Sequence, residues 1–531
     1  MTVRGRTSAP PGTRDAAASP QPGVYPRSTE ACHSETVPPS RARHSLGSNL
    51  ISMLSGQVLT WVITAGSLAI ASRYLGAGGF GVISLAATFA ALGATIAGLG
   101  MTTPITRDVA RKPAECEALV STALWLSVAL GLVAAVVGTF VAAVAGYARE
   151  TQVAIALSCV AIPFVLASGV VLATIQGMEV MRHAAILDVV SKLANMGILV
   201  LVLVVLGGGI QDLMMAALVL AAVTFAVQMV YLRRVLHIGV RLQVTRAGAK
   251  NLISLSVPFF LISVFLVLYG SVDVVVLSKL GDDRDIGLFT APQRLFGTML
   301  FVPVAMMAVL FPRMSALSGD VERLVRVASV AMQATVVLGI AMTIVAVGFR
   351  DETLGHFLGD DFIEAGAVLA MLSLALTPMT MSIVASRVLF AANRQRAMVA
   401  ISACAFIAKI GLSLVLIPFF IDRFDHAALG AAVGQVISEG AMAIAILAFM
   451  PRGWFTRSEA IFYAKVAAAT GVAALVVFAM WDSRPLVASL LALAAYAGVA
   501  TLLRLYVPSQ LLELVRKSLR RGDPLGTVTP V

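Results

Sequence analysis

Charged side chains are scarce in this sequence, and so is cysteine. Only 13% of the 531 residues are Asp, Glu, Lys or Arg, whereas 59% are apolar; ordinary soluble domains have roughly 25% charged residues. A mean hydropathy of +0.92 over this length excludes a soluble globular protein. The four cysteines, Cys32, Cys116, Cys159 and Cys404, fall in a tail, a loop and two apolar runs, so no disulfide framework is predicted.

Catalytic motifs are also missing. The sequence contains no Walker A, H-E-x-x-H, C-x-x-C or G-x-S-x-G pattern, so we predict no catalytic residue, no cofactor and no metal site. The segment from Gly76 to Gly81 matches the dinucleotide fingerprint G-x-G-x-x-G. That fingerprint needs a preceding strand and a following helix in a βαβ unit, whereas here it joins two apolar runs. We therefore interpret it as a tight turn.

Long apolar runs with short polar breaks occupy residues 49–507. About 20 apolar residues cross the hydrocarbon core as a helix, so this length accommodates about 14 transmembrane helices. Lipid requires each segment to satisfy its own backbone hydrogen bonds, and the runs are too long for barrel strands. The predicted fold class is an all-α polytopic membrane protein.

Basic residues predict the orientation. Arginine and lysine collect in alternate connections, for example Arg233 and Arg234, whereas the intervening connections are acidic, for example Asp282 and Asp283. Because basic residues collect on the cytoplasmic side, both termini are predicted to be cytoplasmic. The net charge of +11 thus reflects orientation, and no nucleic-acid partner is predicted.

An internal repeat predicts the domain plan. Arg73-Tyr74-Leu75-Gly76 running to Phe80-Gly81 parallels Lys279-Leu280-Gly281 running to Ile286-Gly287. Two pseudo-repeated six-helix lobes follow, related by an axis along the membrane normal. The predicted units are a disordered cytoplasmic tail (1–46), an N-lobe (47–235), a basic linker (236–252), a C-lobe (253–451), two C-terminal helices (452–507) and a basic cytoplasmic tail (508–531).

Charged residues inside apolar runs are expensive in a membrane, so they tend to face a cavity or a partner. Seven residues qualify: Asp188, Lys192, Asp273, Arg294, Lys409, Glu439 and Lys465. Spacing and depth allow three pairs: Asp188 with Lys192, Asp273 with Arg294, and Lys409 with Glu439. These residues are either structural ion pairs or the lining of a hydrated cavity that binds an anion and a coupling ion. Lys465 lies near enough to the inner surface to extend its ammonium to water.

Several short motifs resemble the Wzx-type polysaccharide flippases of the multidrug/oligosaccharidyl-lipid/polysaccharide (MOP) exporter superfamily. The first is Arg73-Tyr74-Leu75-Gly76 with Phe80-Gly81-Val82, and the second extends from Val272-Asp273 to Arg294-Leu295 and the Leu310–Ser315 turn. A third is Leu416-Ile417-Pro418 followed by Leu429-Gly430-Ala431-Ala432. Together they cover most of residues 45–450.

The resemblance implies a flippase that moves an undecaprenyl-pyrophosphate-linked oligosaccharide across the bacterial cytoplasmic membrane by alternating access. It points to Arg294, Lys192 and Lys409 for the anionic group of the substrate. It points to Asp273 or Glu439 for a coupling ion, with H⁺ and Na⁺ as the candidates. Membrane lipids and other polysaccharide-assembly proteins are the further partners it implies.

The same sequence features are compatible with other functions. A lipid II flippase and a multidrug or small-molecule antiporter belong to the same superfamily, and twelve spans would favour the antiporter. An integral membrane enzyme, such as a glycan polymerase, usually needs a sizeable external loop for its catalytic residues. The longest external connection here, 349–363, has about 15 residues, which disfavours an enzyme.

Overall fold

Helices account for all the repeating secondary structure that the structure describes. The computed structural model describes residues 46–113, 116–241, 246–317, 319–350, 352–392, 394–480 and 485–505. Within these ranges there is no strand. The predicted tail up to residue 46 lies outside them, apart from Leu46 itself, which begins the first helix, and the predicted tail from residue 508 lies entirely outside them.

The helices follow one another with short connections. In chain order they are α1 (Leu46–Gly98), α2 (Thr102–Arg111), α3 (Cys116–Val144), α4 (Arg149–Val160), α5 (Ile162–Gly177), α6 (Met181–Leu199, continued by a π-helical turn Val200–Val205), α7 (Ile210–Arg234), α8 (Arg246–Leu280), α9 (Asp283–Met299), α10 (Phe301–Ala316), α11 (Val321–Val347), α12 (Glu352–Leu358, followed by a 3-10 turn Asp360–Phe362), α13 (Ala365–Ser373), α14 (Leu376–Ala391), α15 (Gln395–Phe424), α16 (Ala427–Ala448), α17 (Arg457–Ala479) and α18 (Pro485–Leu502).

Most of these helices suit a membrane. Eleven helices in the described ranges are long and apolar enough to cross one, or twelve if α13 and α14, which meet at 41°, form one broken span. Several present an apolar face with no protein against it. On α3 the side chains of Val133, Val136 and Phe140 are 60 to 71% exposed, which is the face that lipid would cover. The chain is an all-α polytopic membrane protein.

The first helix is interrupted at a single residue. Gly76 has φ +66 and ψ −178 inside α1, a backbone conformation that L side chains avoid. A Cβ at this residue would also lie 2.6 Å from Oδ2 of Asp361. The predicted tight turn between Gly76 and Gly81 is therefore confined to Gly76, because helical structure resumes at Ala77.

The largest apolar core joins the two halves of the chain, here called the first half (residues 46–241) and the second half (residues 246–450). The most extensive helix contact in the described structure is between α1 and α9. Phe80 of α1 and Phe362 beside α13 are at most 1% exposed and pack edge to face at 6.2 Å. Aromatic pairs favour this geometry, so the core holds the halves at one end of the bundle.

The last two helices are an addition to the second half. α17 and α18 pack on each other and against α11. Gln333 of α11 donates from Nε2 to Oε1 of Glu459 on α17 at 2.9 Å, and the hydroxyl of Tyr496 on α18 donates to the Val337 carbonyl at 3.4 Å. Both helices thus lie beside α11, away from the contact between the halves.

Candidate functional site

A fully buried ion pair connects two helices of the second half. The ammonium Nζ of Lys409 on α15 lies 2.8 Å from Oδ2 of Asp273 on α8, and neither side chain is exposed. The hydroxyl of Ser413, one turn after Lys409, donates to Oδ1 of Asp273 at 2.8 Å. A buried pair loses its hydration, and close geometry with additional hydrogen bonds is what offsets that loss.

The pair continues into a third helix. Lys409 Nζ donates to the side-chain oxygen of Gln435 on α16 and lies 4.4 Å from the centroid of the Tyr269 ring. Gln435 in turn donates from Nε2 to Oε1 of Glu439 at 2.9 Å. A continuous network therefore joins α8, α15 and α16. We call it the buried polar cluster; its members are Tyr269, Asp273, Lys409, Ser413, Gln435 and Glu439.

Sequence reasoning found the three charged members of the cluster but missed the three neutral ones. A signal for them was present, because Tyr269, Ser413 and Gln435 each lie four residues from a charged member on the same helix. Side chains four apart share a helix face. A search for polar and aromatic side chains at this spacing would have found all three.

Charge within the cluster does not balance when every group is ionised. Asp273 and Glu439 supply two carboxylates, and Lys409 supplies one ammonium. Glu439 is 1% exposed, so water does not compensate its charge. The helix α13 packs on α16 as well, but its sequence Ala365–Ser373 contains no ionisable side chain. One negative charge is left over in a dehydrated environment.

Arg294 occupies a different place from this cluster. It lies on α9, which begins with a capping box in which Asp282 accepts from the amide of Asp285 at 2.8 Å. Its guanidinium carbon lies 5.1 Å from the centroid of the Phe80 ring, across the contact between the halves. The side chain keeps exposed surface at this contact between the halves.

The predicted pairing of Asp273 with Arg294 is wrong. Asp273 takes Lys409 instead, and within the described residues Arg294 has no acidic partner. The predicted pair of Lys409 and Glu439 is indirect, because Gln435 stands between them. Equal depth suggested these pairs, but the direction in which each helix presents its side chains decides them.

Two other intramembrane lysines have separate surroundings. Asp188 and Lys192 on α6 are both exposed and form no ion pair with each other, so that predicted pair is also wrong. Lys465 on α17 donates from Nζ to the Leu503 carbonyl at 3.1 Å, just beyond the end of α18. Its ammonium therefore binds a carbonyl that the helix end leaves free.

The repeated glycines face each other where the halves meet. A Cβ on Gly81 would overlap the carbonyl of Asp283, and a Cβ on Gly287 would overlap the carbonyl of Ala77. Each glycine thus admits the backbone of the other repeat. We call this reciprocal approach the glycine contact. It shows that the repeat seen in the sequence corresponds to two segments that pack on each other in space.

The basic residues of the repeat also reach across. Arg73 of the first half donates from Nε to the Phe357 carbonyl at 3.2 Å and from the terminal nitrogen Nη2 to the His356 carbonyl. Lys279 of the second half donates to the Ala145 carbonyl at 2.6 Å and lies over the ring of Tyr147. Equivalent cations of the two repeats therefore each bind backbone carbonyls of the opposite half, at the same end as the glycine contact. We call these two sets of bonds the clasp.

Two chemistries find no support in this geometry. Within the described residues no group of three or more His, Cys, Asp or Glu side chains is placed to hold a metal ion. The G-x-G-x-x-G segment follows a helix rather than a strand. The backbone of α9 occupies the space that a side chain at its last glycine would need. That last glycine, Gly81, serves helix packing.

Solved structures with the same fold include transporters of the MOP superfamily. The lipid II flippase MurJ in an inward closed conformation aligns with a TM-score of 0.68 and 13% identity over 86% of this chain and 98% of that chain. An inward-facing multidrug resistance MATE transporter aligns with a TM-score of 0.59 and 16% identity over 74% and 96% of the two chains. A MOP transporter from Pyrococcus furiosus aligns with a TM-score of 0.54 and 16% identity over 76% and 94%. The chain has the MOP fold.

The sequence family is narrower than the fold. Residues 46–318 match the family model described as polysaccharide biosynthesis protein. Because this match spans more than half of the chain, the protein belongs to that family. A search of curated proteins finds no significant sequence match.

Proposed function

We propose that this protein is a flippase that moves an undecaprenyl-pyrophosphate-linked oligosaccharide across the bacterial cytoplasmic membrane for polysaccharide synthesis. The observation that carries the proposal is Arg294, an exposed cation without an acidic partner among the described residues, placed at the contact between the halves. A pyrophosphate crossing hydrocarbon needs such a counter-charge and a hydrated path. The family supports polysaccharide as the cargo.

Fourteen crossings are the finer count that we propose. The 53 residues of α1 would extend roughly 80 Å at about 1.5 Å per residue if straight, far beyond the ~30 Å of a hydrocarbon core. The break at Gly76 therefore divides α1 into two spans. α9 and α10 together add one more span, and the bent pair α13 and α14 forms another.

The two halves would act as the moving bodies of alternating access. They correspond to the predicted N-lobe (47–235) and C-lobe (253–451), with the C-terminal helices attached to the second. By the positive-inside rule both termini lie in the cytoplasm, and the glycine contact then lies at the outer end. In this conformation the clasp formed by Arg73 and Lys279 closes the outer side.

The predicted cationic residues are unequal as substrate ligands. Arg294 and Lys192 keep exposed surface and have no acidic partner among the described residues, so both can receive the pyrophosphate or an acidic sugar. Lys409 is fully buried and committed to Asp273. It would contact the substrate only if that pair opened, and we place it with Asp273 and Glu439 in the coupling machinery.

The test is to deplete the protein from its host and extract undecaprenyl-linked oligosaccharides from each leaflet. We expect a finished repeat unit to accumulate on the inner leaflet. Complementation with Arg294→Ala should leave that accumulation, Arg294→Lys should relieve it in part, and Arg284→Ala should restore export. Arg284 is the matched control because it lies on the same helix, exposed and paired with Glu364 at 3.0 Å.

Other outcomes identify other functions. Accumulated lipid II would indicate the activity named for MurJ. Intact polysaccharide with unchanged lipid pools would indicate small-molecule efflux, and single units on the outer leaflet would indicate a polymerase. Normal export by Arg294→Ala at wild-type protein levels would remove the anion role of Arg294.

A further inference from the structure

The surplus acid in the buried polar cluster indicates which ion the transporter uses. We propose that the coupling ion is a proton carried by Glu439, and that the ammonium of Lys409 permanently occupies the place that a metal cation would take among the oxygens of the cluster. This inference rests on the proposed function, since it names the ion that drives the same transport cycle.

Lys409 has the surroundings of a bound cation. Its ammonium contacts a carboxylate oxygen of Asp273, the amide oxygen of Gln435 and the face of the Tyr269 ring. Carboxylate and amide oxygens are ligands of hard metal cations, and an aromatic face attracts any cation. The lysine stem ties this cation to α15, so it cannot leave during the cycle.

A second, mobile metal ion does not fit beside Lys409. It would have to share Asp273 and Gln435 with the ammonium, and two cations at such separation in a dehydrated site repel each other strongly. The two carboxylates alone are too few to hold a metal ion against that repulsion. A proton needs neither space nor a coordination shell.

Glu439 is the group that can take the proton. Asp273 is already matched by the ammonium and by the Ser413 hydroxyl. Glu439 instead faces two neutral groups, the amide of Gln435, which donates to it, and the hydroxyl of Tyr269. An uncompensated buried charge is costly. Protonation removes that charge and leaves one ammonium matched to one carboxylate.

Helices α8, α9, α13, α14 and α15 pack on α16, the helix that carries Glu439. Helix α8 brings Asp273 and Tyr269, and α15 brings Lys409. Helix α13 brings no ionisable group, α14 has only Arg387, which lies over the Phe311 ring at 5.4 Å, and Arg294 of α9 faces Phe80. The remaining charges of α9, at 283, 284 and 285, lie at its first turn.

Binding is tested on the purified full-length protein without transport. Wild-type Tm should be equal in NaCl and choline chloride at matched ionic strength. Lys409→Met leaves the oxygens of Asp273 and Glu439 around an empty place, so Na⁺ should raise its Tm and Glu439→Gln added to it should abolish that rise. If wild-type Tm rises with Na⁺, the inference is wrong, and this measurement needs no Lys409 variant.

Proton binding has its own signal. The infrared carbonyl band of a protonated carboxylic acid should be present in wild type, should disappear at high pH, and should be absent from Glu439→Gln. The control Glu364→Gln changes an exposed carboxylate paired with Arg284 and should keep the band. A band that persists unchanged in Glu439→Gln overturns the assignment.

Coupling is then measured in inverted vesicles. Collapsing the pH gradient should slow wild-type flipping several-fold, and the same treatment should leave the residual flipping by Glu439→Gln unchanged, a ratio of about one. If Glu439→Gln keeps the wild-type response, the inference fails while flipping stands. If no glycan is flipped by any variant, the proposed function fails, whereas the Na⁺ and infrared results still decide which ion binds.

Discussion

Replacing Gly81 by alanine should open the outer end of the transporter. The added Cβ would lie 2.8 Å from the carbonyl carbon of Asp283 and 3.0 Å from the amide nitrogen of Gly287, in addition to its overlap with the Asp283 carbonyl oxygen. All three atoms belong to the backbone of α9, which cannot turn aside as a flexible side chain can. Relief requires α1 and α9 to separate.

The free-energy cost that the added Cβ imposes on the closed state follows from this overlap with backbone atoms. Overpacking that forces a backbone shift costs typically about 1–3 kcal/mol, which corresponds to a change of roughly 5- to 150-fold in the equilibrium between closed and open states. Alanine also improves helix propensity by about 1 kcal/mol. That gain applies equally to both states because the helix persists in each, so it raises overall stability without moving the equilibrium.

The assay labels a reporter cysteine from outside the cell. In a background without native cysteines, Thr151→Cys places the thiol at a residue that is 1% exposed and contacts Asp283 across the halves. A membrane-impermeant maleimide should label it at least about fivefold faster in the Gly81→Ala variant, from the lower end of the cost above. The control Gly78→Ala lies in the same helix with nothing within 4 Å of its added Cβ and should label as the parent does.

Two results would refute this reasoning. Equal labelling of the Gly81 and Gly78 variants would mean that the glycine contact does not limit opening. Faster labelling of both would mean that alanine acts through the helix itself. Gly287→Ala provides an independent repetition, because its Cβ would meet Ala77 in the reciprocal position.

Three further predictions concern the same end of the molecule. Arg73→Ala and Lys279→Ala each remove exposed bonds to carbonyls of the opposite half, worth about 0.5–1.5 kcal/mol per bond, so each should speed the same cysteine labelling modestly and the double variant more. Burial raises the pKa of Asp283 above its ordinary value, so the closed state binds a proton on this carboxyl more tightly than the open state does. Raising the pH through the raised pKa should therefore weaken the contact between the halves, which would be measured as faster amide exchange at the start of α9. Asp283→Asn should abolish this pH dependence. Phe80→Ala, at a residue 1% exposed, should cost about 3–5 kcal/mol of stability, measured by denaturation in detergent.

The repeat illustrates what a sequence can establish. Gly81 and Gly287 stand at matching places after Arg73 and Lys279, and this spacing predicted two related halves. It did not predict that the two copies touch, nor that each cation reaches the opposite half. Contacts between segments two hundred residues apart depend on how whole helices dock, which local spacing does not encode.

The intramembrane charges show the same division. Hydropathy placed Asp273, Arg294, Lys409 and Glu439 inside helices because an apolar run of about 20 residues in lipid has one stable form. Only the packing of α8, α15 and α16 decided that Asp273 takes Lys409 and leaves Arg294 free of an acidic partner among the described residues. A residue's depth follows from its count along one helix, whereas its partner depends on the rotation of that helix about its axis. Side chains from several helices set that rotation together, so the sequence by itself determined the membrane helices and their charges, and the tertiary structure decided the pairs.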